Sequence, residues 1–154
     1  MKQNTIEIKI PLNKKWLNIG EKIIKLYALN VGFNDTLCNM MAGSIDEVCG
    51  KLYERASESE REETFLLTID SDEDVVTTSI TYNKEIPLNP HKDKLYEVPD
   101  NINDLDDSMI DALWLFLVKR RMDRVYFVVN GSKQSLRMMK YRRETGKEKR
   151  LWVM

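Results

Sequence analysis

Residues 34–56 read NDTLCNMMAGSIDEVCGKLYERA, and Leu37, Met41, Ile45, Val48, Leu52 and Ala56 recur in it at three- and four-residue spacing. That is the period of an α-helix carrying one long apolar stripe, and Asn34, Asp35 or Thr36 can cap its start. A helix of about five turns with such a stripe must be covered along its whole length, so its neighbours decide the fold. Upstream, Ile6, Ile8, Ile10 and Leu12 alternate with Glu7 and Lys9, the period of a half-buried strand. Between the two, Asn13 can cap a helix in which Trp16, Ile19, Ile23 and Leu26 or Tyr27 share a face, until Asn30-Val31-Gly32 ends it.

Downstream, the charged stretch from Glu58 to Glu63 connects to Phe65, Leu67 and Ile69, which alternate up to the acidic turn Asp70-Ser71-Asp72-Glu73. The β-branched run Val75 to Tyr82 returns as a hairpin partner. Residues 83–104 carry Pro87, Pro90 and Pro99 and no periodicity, which predicts a lid-like loop over a site, because irregular segments of that length inside compact domains are usually functional or disordered. From Leu105 to Met122, Met109, Ile110, Leu113, Leu117 and Val118, with Trp114 and Phe116 beside them, predict a helix apolar around most of its girth and therefore sandwiched. Val125-Phe127-Val129 and Leu136-Met138, joined through Asn130-Gly131, predict a closing hairpin. The order β-α-α-β-β-loop-α-β-β is that of an α+β two-layer sandwich, with residues 142–154 as a basic C-terminal extension. That extension reads first as an edge strand guarded by its lysines and arginines, and second as a docking strand anchored by Trp152.

The 154 residues suit a single domain, expected over 1–154. The 24 Lys and Arg against 25 Asp and Glu give a net charge of −1, so no overall field favours nucleic acid or a membrane surface. With 42% hydrophobic residues the chain can build a packed core. Cys38 and Cys49 cannot form a disulfide framework, a single His91 adds no metal-ligand set, and both cysteines read as reduced core residues. No apolar stretch approaches the ~20 residues needed to span a bilayer, and the first residues have no apolar signal core. The expectation is a cytoplasmic protein with no metal site, no direct nucleic-acid contact and no membrane contact.

Three segments carry a resemblance to a known family. Ser44-Ile45-Asp46-Glu47-Val48-Cys49-Gly50-Lys51-Leu52, Ile80-Thr81-Tyr82-Asn83-Lys84-Glu85-Ile86-Pro87-Leu88-Asn89-Pro90 and Ala112-Leu113-Trp114-Leu115-Phe116-Leu117-Val118-Lys119-Arg120-Arg121-Met122-Asp123 stand in the order and at the separations of the motifs of the bacterial anti-sigma-factor serine kinases. These are small members of the histidine-kinase-like ATPase (GHKL, Bergerat) superfamily. The resemblance runs from about Ile6 to Tyr141 and implies a Bergerat fold, Mg-ATP as cofactor of the active family members, and control of transcription through a sigma factor, an anti-anti-sigma protein and a second copy of the chain.

The positions that carry the family's chemistry differ here. Glu47 matches the family's carboxylate base. Lys51 stands where the family has a magnesium-ligating Asn, and a cation with donors only cannot coordinate a metal. Tyr82 replaces the adenine-binding Asp, while Lys84, Ala112 and Trp114 replace glycines that let backbone amides approach phosphates. Lys84, Lys92 and Lys94 can instead hold phosphates or simply solvate the loop, and Glu47 and Lys51 can form an ordinary i, i+4 helix pair. The expectation is a pseudo-enzyme with a decayed nucleotide site, needing no cofactor and acting by protein–protein binding. The alternatives are an active Mg-ATP-dependent serine/threonine kinase and a scaffold or dimerisation domain.

Overall fold

The computed structural model describes residues 4–92, 94–101 and 111–142. Its elements are β1 (Ile6–Pro11), α1 (Ile19–Asn30), α2 (Asp35–Arg55), β2 (Thr64–Ser71), β3 (Val75–Asn83), β4 (Tyr96–Glu97), α3 (Trp114–Arg121), β5 (Arg124–Asn130) and β6 (Lys133–Tyr141), with a 3₁₀ turn at Glu60–Glu62. The strands form one antiparallel sheet in the order β1-β2-β3-β6-β5-β4. Its register lines up Ile8, Leu67, Ile80, Leu136, Phe127 and Tyr96 as one row across all six strands. Ile6, Ile69, Thr78, Met138 and Val125 make the next row. These rows share a core with Ile24, Met41, Ile45, Val48 and Leu52 of the helices. The protein is therefore an α+β sandwich of one sheet and one helical layer. The opposite sheet face is polar to half-buried, and Thr81 and Ser135 are hydrogen-bonded across it at 2.7 Å.

α2 follows its pattern: the Asn34 side chain accepts from the Leu37 N–H at 2.9 Å, and Met41, Ile45, Val48 and Leu52 are buried. Cys38 and Cys49 are buried free thiols, and burial, reinforced by Asp46 and Glu21, pushes Cys49 up to about 12. α1 starts later than the spacing predicts. Asn13 does not cap it: its side chain accepts from the Lys15 N–H, and consecutive turns carry the chain through Trp16 to Ile19. A side chain that closes its own local turn is not available to cap a helix.

The loop predicted over 83–104 is docked rather than free where it is described. Ile86, Leu88 and Val98 are buried, the Asn89 amide donates to the Gln134 side chain at 3.1 Å and to the Lys94 carbonyl at 2.8 Å, and Tyr96–Glu97 add a sixth strand. Arg124 clasps Glu97 through two hydrogen bonds of 2.8 and 3.0 Å. Of the helix predicted from Leu105 to Met122, residues 105–110 lie outside the described residues and Trp114–Arg121 are helical; this helix is not sandwiched, because Leu113 and Leu117 at its start and middle are 42% and 49% exposed. The β5–β6 turn sits one residue beyond the Asn-Gly signal. Asn130 pairs with Lys133, and Gly131 at φ 63° is the first of two turn residues. Residues 143–154, with Trp152, lie outside the described residues.

Gly20, in the first turn of α1, packs tightly against α2 and β2: an added Cβ would lie 3.1 Å from Ile45 Cγ2 and 3.7 Å from Leu67 Cδ2. Gly20→Val should therefore overpack this junction and lower stability by ~1–3 kcal/mol, read as a lower denaturation midpoint with unchanged m-value. The Arg124 hydrogen bond holds the Glu97 carboxyl below the usual carboxylate range, so this pair stabilises above the unfolded-state pKa and is lost as pH falls through the folded one. At this exposure the effect is ~0.2–1 kcal/mol, and Glu97→Gln should flatten the acid limb of the stability profile by that amount while leaving its alkaline limb unchanged.

Candidate functional site

α2 presents Glu47, Lys51 and Arg55 at successive four-residue steps, which places them on one stripe. Opposite that stripe lies the start of α3. The two helices enclose a cleft of about 870 Å³ whose walls include Glu47, Lys51, Asp100, Leu113, Trp114 and Arg120, with Phe116 and Leu117 completing its apolar side. Among the residues singled out from the sequence, the structure thus brings Glu47, Lys51 and Trp114 together.

Glu47 and Lys51 are not paired with each other as the i, i+4 spacing suggests. The Lys51 ammonium lies 3.6 Å from Glu54, one helical turn further on. Trp114 is 5% exposed and its indole N–H has no hydrogen-bond partner. Ala112 is buried in the turn leading into α3. Tyr82, at the end of β3, is also buried with an unpartnered hydroxyl, and desolvation pushes its phenol far above the ordinary range, so it stays neutral. Lys84 is separated from this group. It lines another hollow, of about 380 Å³, with Glu85, Pro87, Asn89 and Lys92.

Arg55 was not among the sequence candidates, although its spacing from Glu47 and Lys51 signals it. Its guanidinium donates to the Pro87 carbonyl at 3.2 Å and to the Asp111 carbonyl at 2.7 Å, and lies 5.9 Å from the centre of the Trp114 ring. One cation on α2 thereby ties the early part of the long loop, at Pro87, and the turn that leads into α3, at Asp111. A second tie, Arg121 to the Gly43 carbonyl at 3.4 Å, joins the far end of α3 to α2. Lys119 pairs with Asp100 at 3.2 Å and donates to the Asp123 carbonyl at 2.8 Å, satisfying an acceptor just past the end of α3.

Among the described residues the cleft has an apolar wall of Leu113, Trp114, Phe116 and Leu117, with the acids Glu47 and Asp100 and the cations Lys51 and Arg120 around it. No glycine among the described residues lines the cleft, and the first residue of α3 is a buried indole. Among the described residues no three His, Cys, Asp or Glu side chains gather in a metal-binding group, and no helix is long and apolar enough to cross a membrane.

Arg55→Ala should release two carbonyl contacts and the Trp114 ring together, lowering stability by ~1–3 kcal/mol. Hydrogen exchange should rise in residues 84–90 more than in β2 and β3, and uniform exchange across the sheet would contradict the tie.

No family model matches this sequence, and no curated protein matches it.

Proposed function

We propose that this chain is an anti-sigma-like regulatory protein on a Bergerat-type sandwich, acting in the cytoplasm by binding a protein partner through the cleft between α2 and α3. Support for the scaffold comes from the order β-α-α-β-β, a docked loop, then α-β-β, and from the convergence of Glu47, Lys51 and Trp114 on one cleft. The observation that carries the binding mode is the exposed pair Leu113 and Leu117, one turn apart on the rim and continuous with Trp114 and Phe116. Apolar anchors beside charges of both signs suit an amphipathic helix of a partner, since the partner's apolar face can enter while its charges meet Glu47, Lys51, Asp100 and Arg120 at the rim. Sigma factors and anti-anti-sigma proteins are the partners that the family resemblance suggests.

A second reading, an active serine/threonine kinase, draws on the cleft volume, which lies within the ~300–1,000 Å³ of small-ligand sites, and on Glu47 in its wall.

Calorimetry separates the two. Mg-ATP should give no binding in the micromolar range, whereas a sigma factor from the source cell should bind the chain. Leu117→Asp should weaken that complex at least ~10-fold, because an exposed apolar anchor is lost without touching the core. Micromolar Mg-ATP affinity would favour the kinase. A sigma-factor complex indifferent to Leu117→Asp would remove the cleft from the binding surface.

A further inference from the structure

Arg142, the last described residue, is anchored beside the end of α1. Its N–H donates to the Asp74 carbonyl at 2.7 Å, and its guanidinium donates to the Val31 carbonyl and lies 5.6 Å from the centre of the Phe33 ring. Val31 has a second role. With Ile6, Ile23, Leu26 and Tyr27 it lines a hollow of about 360 Å³, where the start of β1 meets the last turns of α1. Ile6 is 41% and Leu26 64% exposed there. The hollow is preformed, because the Tyr27 hydroxyl is held by the Asn4 carbonyl and, at 2.9 Å, by the Ser71 hydroxyl. The chain beyond Arg142 therefore starts at the rim of an apolar hollow that the described residues leave open.

The sequence beyond Arg142 has two parts. Arg143, Lys147, Lys149 and Arg150 outnumber Glu144 and Glu148, and Leu151-Trp152-Val153-Met154 follows without a charged side chain. The surroundings of the hollow carry the complement of both. The last turn of α1, the negative end of its dipole, holds no basic residue. Beside it the β2–β3 hairpin presents Asp70 and the exposed Asp72, Glu73 and Asp74, and Asp70 accepts from the Thr5 hydroxyl on the rim at 3.3 Å.

We propose that residues 143–154 dock back onto their own chain, seating Leu151 and Trp152 in this hollow against Ile6 and Leu26, with the preceding cations over the acidic hairpin. The reach is sufficient. β6 stands three strand spacings from β1, roughly 14 Å at ~4.8 Å each, whereas the nine residues from Arg142 to Leu151 extend up to ~30 Å. The tether selects this occupant over a second copy or a separate peptide, since a short linker holds its segment at an effective concentration in the millimolar range. Trp152 is the anchor, as an aromatic side chain buries about 150–250 Å². This docking does not depend on what the α2–α3 cleft binds.

Fluorine NMR of the full chain labelled with fluorotryptophan separates Trp16, Trp114 and Trp152, each assigned by its Trp→Phe variant. Trp152 should be shielded from solvent. Leu26→Asp, at an exposed position whose folding circular dichroism verifies, should move the Trp152 signal to that of a free indole and leave Trp114 unchanged. In a chain carrying Leu26→Cys and Leu151→Cys, mild oxidation should close an intramolecular disulfide at least ~10-fold faster than in one pairing Leu151→Cys with Lys133→Cys at the far end of β6, at a rate independent of protein concentration. Cys38 and Cys49 are buried and do not compete. A solvent-exposed Trp152 in the native chain, a signal indifferent to Leu26→Asp, or a crosslink whose rate rises with protein concentration would each overturn the proposal.

Discussion

The apolar stripe of α2 is the constraint on which the rest depends. A helix of 21 residues with Cys38, Met41, Ile45, Val48, Cys49 and Leu52 buried cannot be covered by one neighbour. The sheet covers it from below, α1 packs along one flank with Gly20 set against Ile45, and α3 covers the other flank and is bound to α2 through Arg121 and Gly43. Alternation in the central strands answers the same requirement, since each inward residue of the row Leu67, Ile80 and Leu136 faces the helical layer.

The candidate site arises where that coverage stops. Among the described residues α3 spans eight and faces the C-terminal half of α2, where Glu47 and Lys51 line the cleft and Arg55 continues their stripe. Arg55 is the member turned to structure: its guanidinium serves a carbonyl early in the long loop and another in the turn before α3. Glu47 and Lys51 are left facing the cleft. A binding surface built on the flank of the core helix inherits that helix's rigidity, which limits the ordering cost of association.

What the sequence made legible were the elements whose patterns are enforced by burial on one side: β1, the β2–β3 hairpin, α2 with a cap among Asn34, Asp35 and Thr36, and the closing hairpin. Where a side chain had two local options, pattern alone could not decide. Asn13 has the chemistry of a helix cap and uses it for a turn, so α1 begins several residues later than Trp16 suggests. The two-residue β4 is too short for any periodicity, and it depends on the long-range clasp of Arg124 on Glu97 and on Tyr96 packing beside Phe127. Of the candidate site, Glu47, Lys51 and Trp114 were legible as a group, whereas Lys84 was separated from them by the turn after β3. Leu113 and Leu117 were read as buried because an apolar helix is ordinarily covered, and a sequence does not tell which flank of a short helix remains bare.

The brevity of β4 has a bearing on how copies of this chain can associate. A sheet with two long free edges can add neighbours at both and grow without limit, as fibrils do. Here one edge is six residues long and the other, among the described residues, is two, with a charged clasp across it. Among the described residues few backbone groups remain on that side to recruit another strand, so the two edges are unequal templates for further pairing.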